Sequence, residues 1–291
     1  MLLRAISALS FVFAAVLYLC LSCTLWLVPV LFIGCFLALL LIAFLVLWAF
    51  SAAVDTHTPQ EHDSKLYRRI VMLYIEALIP LAGLKMEVTG LEKMPDVKRI
   101  MLVCNHQNEA DPGILLHYFK RSQLAFISKQ ENKTMFAVGK FMHKTMCQLV
   151  NRENDREALK TIIKCIRLVK EDEVSIGAFP EGGIKIKDKL SPFRSGMFKI
   201  AQKAEVPIVV CTLKGTSDLF HNIKHLKRTH VRLSLVDVIP AEALKGRTTV
   251  RLHLVGILPE WEHVDMTTVE IAERVYDMMI TDLGEEYRLA E

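Results

Sequence analysis

From Ala5 to Val54 the chain carries no charged residue, a run of fifty positions. No other feature restricts the fold as strongly, because so long an apolar stretch is stable only out of water. A bilayer core takes about 20 apolar residues per helical crossing, so the run suffices for two. Ile6 to Val28 and Leu31 to Ala53 are the natural halves, with Pro29 near the break. A cleaved secretory signal fits badly, since its apolar segment would be about 7 to 15 residues long. One long tilted helix, or a hairpin held within a single leaflet, satisfies the same composition, because no polar turn separates the halves. Arg4 and the amino terminus precede the run; Lys65, Arg68 and Arg69 follow it, diluted by Asp55, Glu61 and Asp63. Both flanks favour the cytoplasmic face, which requires an even number of crossings or none. The remaining chain is then expected to face the cytoplasm.

That remainder is long enough for one sizeable α/β core. A polar linker, Asp55 to Ser64, leads into Lys65 to Leu84, which has a helical pattern with Leu66, Ile70, Tyr74 and Leu78 on one face. Such a helix can lie on a membrane surface or pack on a core. Short apolar strands are then expected at Ile100 to Cys104, Leu124 to Ile127, Cys147 to Val150, Val174 to Phe179, Val206 to Leu213 and Val231 to Ile239. Helical stretches lie between several of them, clearest from Asp155 to Lys170, where Ala158, Ile162, Cys165 and Ile166 share a face. This alternation predicts an α/β fold: a mixed, largely parallel sheet flanked by helices. A last helix near Thr268 to Asp282 has a capping box in Thr267 and Glu270 and a stop at Gly284. The expected division is a membrane hairpin over 1–54, a linker and amphipathic helix over 55–87, and an α/β domain over 88–291. The seven cysteines show no metal-ligand spacing, and Cys104, Cys147, Cys165 and Cys211 fall in predicted strands or helix, which suits reduced thiols. A net charge of +4 is too small to argue for nucleic acid and suits an anionic membrane surface.

Within Cys104-Asn105-His106-Gln107-Asn108-Glu109-Ala110-Asp111-Pro112, a buried strand gives way to a helix start. Asp111 is placed to act as the N-cap and Pro112 as the first helical residue. The histidine therefore sits in a tight turn with a carboxylate pinned just beyond it. An imidazole held in one tautomer by an acceptor is suited to general-base work. The plainer reading is a capping aspartate beside an ordinary loop histidine; one carboxylate can serve both.

Further along, Val150-Asn151-Arg152 ends a strand with a cation, Phe179-Pro180-Glu181-Gly182-Gly183 ends another with a turn, and Val206-Pro207-Ile208-Val209 opens a third. With Asn105-His106…Asp111, these blocks resemble, in order and spacing, those of the 1-acylglycerol-3-phosphate acyltransferase family over about Val88 to Leu213. Lys129, Gly139 and Phe193-Arg194-Ser195-Gly196 fall where that family has lysine, glycine and an F-x-x-G turn. The resemblance implies transfer of a fatty acyl group from acyl-CoA or acyl carrier protein to the free hydroxyl of a lysophospholipid, giving phosphatidic acid from 1-acylglycerol-3-phosphate. It implies His106 as base, Asp111 as its orienting acid, and Asn105, Lys129, Arg152, Glu181 and Gly182 as substrate-binding residues. The backbone N–H groups at the Pro112 helix start are candidate oxyanion donors. No metal and no cofactor beyond the acyl donor is expected; membrane lipid, the lysophospholipid and the donor are the expected partners, and nucleic acid is not.

Without the resemblance, Arg152 reads equally as an ion-pair partner of Glu153 or Asp155, and Glu181 as a carboxylate bonding turn amides. The family's third block runs P-E-G-T-R, whereas Gly183-Ile184 stands here, so an expected phosphate-facing cation is missing. Lys185, Lys187, Lys189 and Arg194 are candidate replacements, though a lysine is a point charge and not a fork. That basic loop also suits anionic lipid or an acidic carrier protein. The departure puts the acceptor in doubt and leaves open another lysolipid, a thioesterase, or a non-catalytic lipid-binding protein that kept the fold. His221-x3-His225 has helical spacing without the glutamate of a zinc protease, and Ser128 and Ser195 lack a nucleophile elbow.

Overall fold

The computed structural model describes residues 2–21, 24–152, 154–244, 248–251, 260–263 and 266–289. Cys23 and Glu153 lie outside them. The chain forms two compact units: Met1–Leu81 with Glu131–Met146, and Ala82–Gln130 with Cys147–Glu291.

In the first unit, helices α1 (Leu2–Leu21) and α2 (Val28–Ala52) are joined by a 3-10 turn at Leu25–Leu27. Both are long and apolar enough to cross a membrane. Pro29 occupies the first turn of α2, where a missing N–H costs nothing. The halves therefore begin earlier than the sequence suggested, and the break falls just before Pro29. Helix α3 (Lys65–Leu81) stops short of Leu84, because Gly83 takes a left-handed φ of 67°. Of the apolar face, Leu66 and Leu78 are exposed, as a membrane-surface helix would have them, while Ile70 and Tyr74 are half-buried and Ala77 is buried. Tyr74 donates its hydroxyl to Ala43 O at 2.5 Å and Tyr67 to Phe50 O at 3.3 Å. Amphipathic residues thus bury the ring and spend the polar tip on α2 carbonyls. The segment 131–146 belongs to this unit: Phe136 stacks on Phe44 with ring centres 5.9 Å apart, and Phe141 meets Tyr67 at 5.7 Å with the rings tilted by 48°. It carries helix α5 (Val138–Lys144).

The second unit holds strands β1 (Leu84–Thr89), β2 (Met101–Cys104), β3 (Leu124–Lys129), β4 (Gln148–Val150), β5 (Ser175–Ala178), β6 (Ile208–Lys214) and β7 (Thr229–Ile239) in one sheet, ordered β1-β7-β6-β2-β5-β3-β4. Every neighbouring pair is parallel except β6 with β7. A separate antiparallel pair joins β8 (Thr248–Arg251) and β9 (Glu260–His263). The helices are α4 (Asp111–Tyr118), α6 (Asp155–Lys170), α7 (Lys199–Ala204), α8 (Leu219–Lys224), α9 (Ala241–Leu244) and α10 (Thr268–Leu283). All four residues of β2 and of β5 are buried, as expected for parallel strands covered on both faces. Asn154 caps α6 by accepting from Glu157 N at 3.2 Å, and the Thr267–Glu270 capping box starts α10. Cys147 falls just before β4, not within it, and its sulfur accepts from Phe126 N at 3.3 Å.

Parallel strands β6, β2, β5 and β3 end on one edge of the sheet. The three sequence blocks after β2, β5 and β4 are carried to that edge together, and Val206-Pro207 enters β6 from the opposite one, where Pro207 O accepts from Met101 N at 2.9 Å.

Candidate active site

His106 lies just past the end of β2, and its Nδ1 stands 3.0 Å from Asp111 Oδ2. Asp111 is fully buried, while the His106 side chain keeps 17% of its surface exposed. An ionised carboxylate only accepts, so in the neutral ring Nδ1 carries the proton and Nε2 keeps its lone pair. The ring stacks on Phe179 with centres 4.1 Å apart, and Phe179 stacks on Phe126 at 5.5 Å. Gly177 on β5 makes that ladder possible, because a Cβ there would collide with the Phe126 ring.

Asp111 does not cap α4 as expected. It is the first helical residue, after Ala110, and its side chain turns back onto the preceding loop. Oδ2 alone accepts from Gln107 N at 2.7 Å, from Asn108 N at 2.8 Å and from His106. Oδ1 is buried without a hydrogen-bond partner among the described residues. Pro112 at the next position drives this arrangement: it has no N–H, and Asp111 N already donates to Asn108 O at 3.0 Å. The helix start also fails as an oxyanion site. Gly113 N and Ile114 N both donate to Ala110 O, at 2.9 and 3.2 Å, so these amides are spent inside the helix.

Asn105 is fully buried, with its amide bonded at both ends to one residue: Nδ2 to Leu213 O at 2.8 Å and Leu213 N to Oδ1 at 2.7 Å. In this geometry it offers nothing to a substrate; it locks the end of β2 to β6 and so fixes where His106 begins. Glu181 is likewise buried, with Oε1 accepting from His106 N at 2.7 Å and Oε2 from Ser191 N at 2.8 Å. Burial pushes its carboxyl above the usual range, opposed by those two amide donors. It therefore bonds turn amides, the plainer of the two sequence readings, and one of those amides belongs to the histidine itself. Gln107, which sequence reasoning passed over, clamps the next loop: its Oε1 accepts from Asp188 N at 2.8 Å and its Nε2 donates to Lys189 O at 3.1 Å. A buried amide flanking a histidine was the only available signal for it.

Gly182 and Gly183 have φ of 74° and 143°, and each bears a guanidinium in place of a side chain. A Cβ on Gly182 would sit 2.8 Å from Arg194 Nε, and one on Gly183 3.0 Å from Arg152 Nη1. The main chain of Arg194 is anchored to the same turn, its N–H donating to Pro180 O at 2.9 Å. Among the four candidate replacements for the missing cation, Arg194 is thus the one seated on the third block. Lys187 is held by Asp218 at 2.6 Å, Lys189 donates to Glu286 O and Arg288 O, and Lys185 is exposed on the loop. Lys129 is exposed at the end of β3, two strands from β2. A hollow of about 330 Å³ lies elsewhere, lined by Lys85, Glu87, Lys214, His230 and Arg232 among others, and does not include His106.

Residues 85–214 match the family model described as Acyltransferase. A probable 1-acyl-sn-glycerol-3-phosphate acyltransferase of Mycoplasma pneumoniae is 28% identical over 182 residues, 61% of this chain and 65% of that protein. A 1-acyl-sn-glycerol-3-phosphate acyltransferase of Chlamydomonas reinhardtii is 31% identical over 183 residues (61% and 53%), and one of Haemophilus influenzae 30% over 159 residues (55% and 64%). The chain thus spans about half to two thirds of the length of these relatives. The crystal structure of the 1-acyl-sn-glycerophosphate (LPA) acyltransferase PlsC from Thermotoga maritima has the same fold, with a TM-score of 0.59 at 17% identity, covering 97% of this chain and 96% of that one.

Proposed function

We propose that this chain, which carries an acyltransferase domain over residues 85–214, moves a fatty acyl group from acyl-CoA or acyl carrier protein to the free hydroxyl of a lysophospholipid. The observation that carries the reading is the His106–Asp111 contact of 3.0 Å, made by Nδ1 of a side chain that is itself partly exposed. In the proposed reaction Nε2 takes the proton as the hydroxyl oxygen attacks the thioester carbonyl. The imidazolium is stabilised by Asp111. The tetrahedral intermediate then expels the thiolate, the C–S bond breaks, and the same proton passes to sulfur. No acyl-enzyme is required. General-base action supplies about 10²- to 10⁴-fold in rate, and juxtaposition of the two substrates much of the remainder.

The acceptor that suits the cations is one bearing a phosphate. Arg152 and Arg194, backed onto Gly183 and Gly182, present planar forks, which match phosphate oxygens better than lysine does. This supports 1-acylglycerol-3-phosphate, with phosphatidic acid as product. The altered third block keeps a second acceptor in view, a lysolipid whose phosphate sits differently. Asn105, Glu181 and Gly182 serve in this proposal as positioning residues. The helices α1 and α2 would hold the protein at a membrane, with the basic flanks Arg4, Lys65 and Arg69 on the cytoplasmic side.

The deciding experiment incubates purified protein with labelled acyl-CoA and a panel of lysolipids, beside His106→Ala. Esterified lipid from wild type and none from the variant, at unchanged melting temperature, is the expected result. Free fatty acid alone means a hydrolase, and equal product from both proteins removes His106 from the chemistry.

A further inference from the structure

Two loops leave the catalytic edge of the sheet with apolar side chains turned to solvent. After β5, Ile184 and Ile186 are 44% and 49% exposed. After β6, Phe220, Ile223 and Leu226 are 48%, 38% and 96% exposed. Leu226 also has a φ of 52°, a backbone conformation that leucine rarely adopts, and the turn spends it on holding an apolar side chain fully in water. Exposed residues of this kind scattered singly would be unremarkable. Here they are tied together: Lys187 pairs with Asp218 at 2.6 Å and Ser217 Oγ donates to Asp188 Oδ1 at 2.8 Å, joining the two loops. Asp188 N and Lys189 O are in turn clamped by Gln107, the neighbour of His106. The apolar cluster is therefore continuous with the loop that carries the histidine.

Its net charge is positive. Lys185, Lys187, Lys189, Lys224, Lys227 and Arg228 lie in these two segments against Asp188 and Asp218. Asp218 and Lys187 neutralise each other and Asp188 accepts from Ser217, so the excess rests mainly on Lys185, Lys189, Lys224, Lys227 and Arg228. Apolar side chains interspersed with an excess of cations match the interface of an anionic bilayer, where rings and aliphatic groups enter the headgroup boundary and basic groups meet lipid phosphates. An acidic protein would satisfy the cations but leave Leu226 and Phe220 without a reason to be exposed. From this juxtaposition we infer that the loops 183–189 and 217–228 form a second membrane-docking surface, which seats the catalytic edge on anionic lipid. It extends the proposed function by saying where a lipid acceptor enters, and it stands or falls separately from the chemistry at His106.

The test places an environment-sensitive NBD label on Leu226→Cys in the full-length chain, with Cys20, Cys23, Cys35 and Cys147 changed to Ser. Cys104, Cys165 and Cys211 are fully buried and remain unreactive. The same label on Leu159→Cys of α6, 55% exposed and outside the two loops, is the control. The protein is reconstituted in phosphatidylcholine vesicles with and without phosphatidylglycerol. The expected result is emission moved to shorter wavelength and quenched by nitroxide-labelled acyl chains at 226, stronger with phosphatidylglycerol and lost on Lys224→Glu with Lys227→Glu, while the label at 159 stays water-like. Water-like emission at 226 in both vesicle types overturns the inference. So does a shift that appears only when an acidic acyl carrier protein is added, which would assign the face to a protein. The readout is a spectrum and needs no turnover, so loss of acyl transfer and loss of docking are told apart.

Discussion

At the residue scale, one oxygen organises the site. Oδ2 of Asp111 gathers Gln107 N, Asn108 N and His106 Nδ1, while Oδ1 is buried and unbonded among the described residues. An amide can imitate that arrangement, with its carbonyl oxygen where Oδ2 stands and its NH2 in the Oδ1 position. Asp111→Asn should therefore keep the loop and the histidine tautomer but lose the charge that stabilises an imidazolium. Acyl transfer is expected to fall roughly 10²- to 10³-fold, while the unpaired NH2 lowers the urea midpoint by the equivalent of about 1–3 kcal/mol. Undiminished turnover would reduce Asp111 to a structural role. Glu181 poses a different question, because it is buried, accepts two amides and still has its carboxyl pushed upward. A folded pKa above the unfolded one adds stability that is complete below the unfolded value, about 4.3 for glutamate, and is lost as pH rises through the folded value. Glu181→Gln removes that titration and leaves one of two buried amides unpaired, costing about 1–3 kcal/mol. Its deficit relative to wild type should be greatest at acid pH and shrink as pH climbs through the raised value. Urea unfolding of both proteins across pH 4 to 8 checks this; a deficit independent of pH would mean that Glu181 does not titrate abnormally.

At the scale of elements, legibility followed periodicity. α6 and α10 could be read in the sequence to within a residue, because caps and amphipathic spacing agree there. The buried strands could be read too, since β2 and β5 are unbroken apolar runs. β1 could not: Leu84-Lys85-Met86-Glu87-Val88-Thr89 alternates over only six residues and looks like the tail of α3 until Gly83 is seen in the left-handed region. The motif residues were legible as a set, and so was the His106–Asp111 contact, but the backbone partners of the others were not. Asn105 and Glu181 turn out to bond backbone, because the partners they need, Leu213 and Ser191, are brought near only by strand order. The same holds for Arg194, whose place on the Gly182 turn depends on Arg194 N finding Pro180 O. Arg194→Ala should raise the Michaelis constant for a phosphate-bearing acceptor about tenfold, or 1.4 kcal/mol, and leave that for the thioester unchanged. Equal effects on both substrates would show that the guanidinium only packs the turn. Gly182→Ala should mimic it at added cost in stability, because φ is 74° there and the new methyl meets the guanidinium.

At the scale of the whole molecule, chain order and compactness do not coincide. The sequence suggests a hairpin, a linker and a domain in succession, whereas 131–146 leaves the sheet unit between β3 and β4 and packs with the N-terminal helices. Nothing in its composition announces this; Phe136 and Phe141 are unremarkable until Phe44 and Tyr67 are found opposite them. The consequence is that the apolar helices have a structural duty besides any membrane one. Removing residues 1–54 strips the stacking partner from Phe136 and the carbonyl of Ala43 from the Tyr74 hydroxyl. Phe136, already 56% exposed, would then lose its ring partner; α5 stays tied to the retained chain by Ser64 N–Lys144 O and Lys144 Nζ–Gln60 Oε1, whereas the stretch before it keeps fewer tertiary contacts and opens at smaller free-energy cost. Limited proteolysis of the truncated chain should cut within 131–146 at least tenfold faster than in the full chain, while α6 is cleaved at the same slow rate in both. Protection of 131–146 without the helices would mean that residues 55–81 suffice to order it, through Tyr67 and Phe141 and the bonds of Gln60, Ser64 and Arg68 to Lys144 and Thr145.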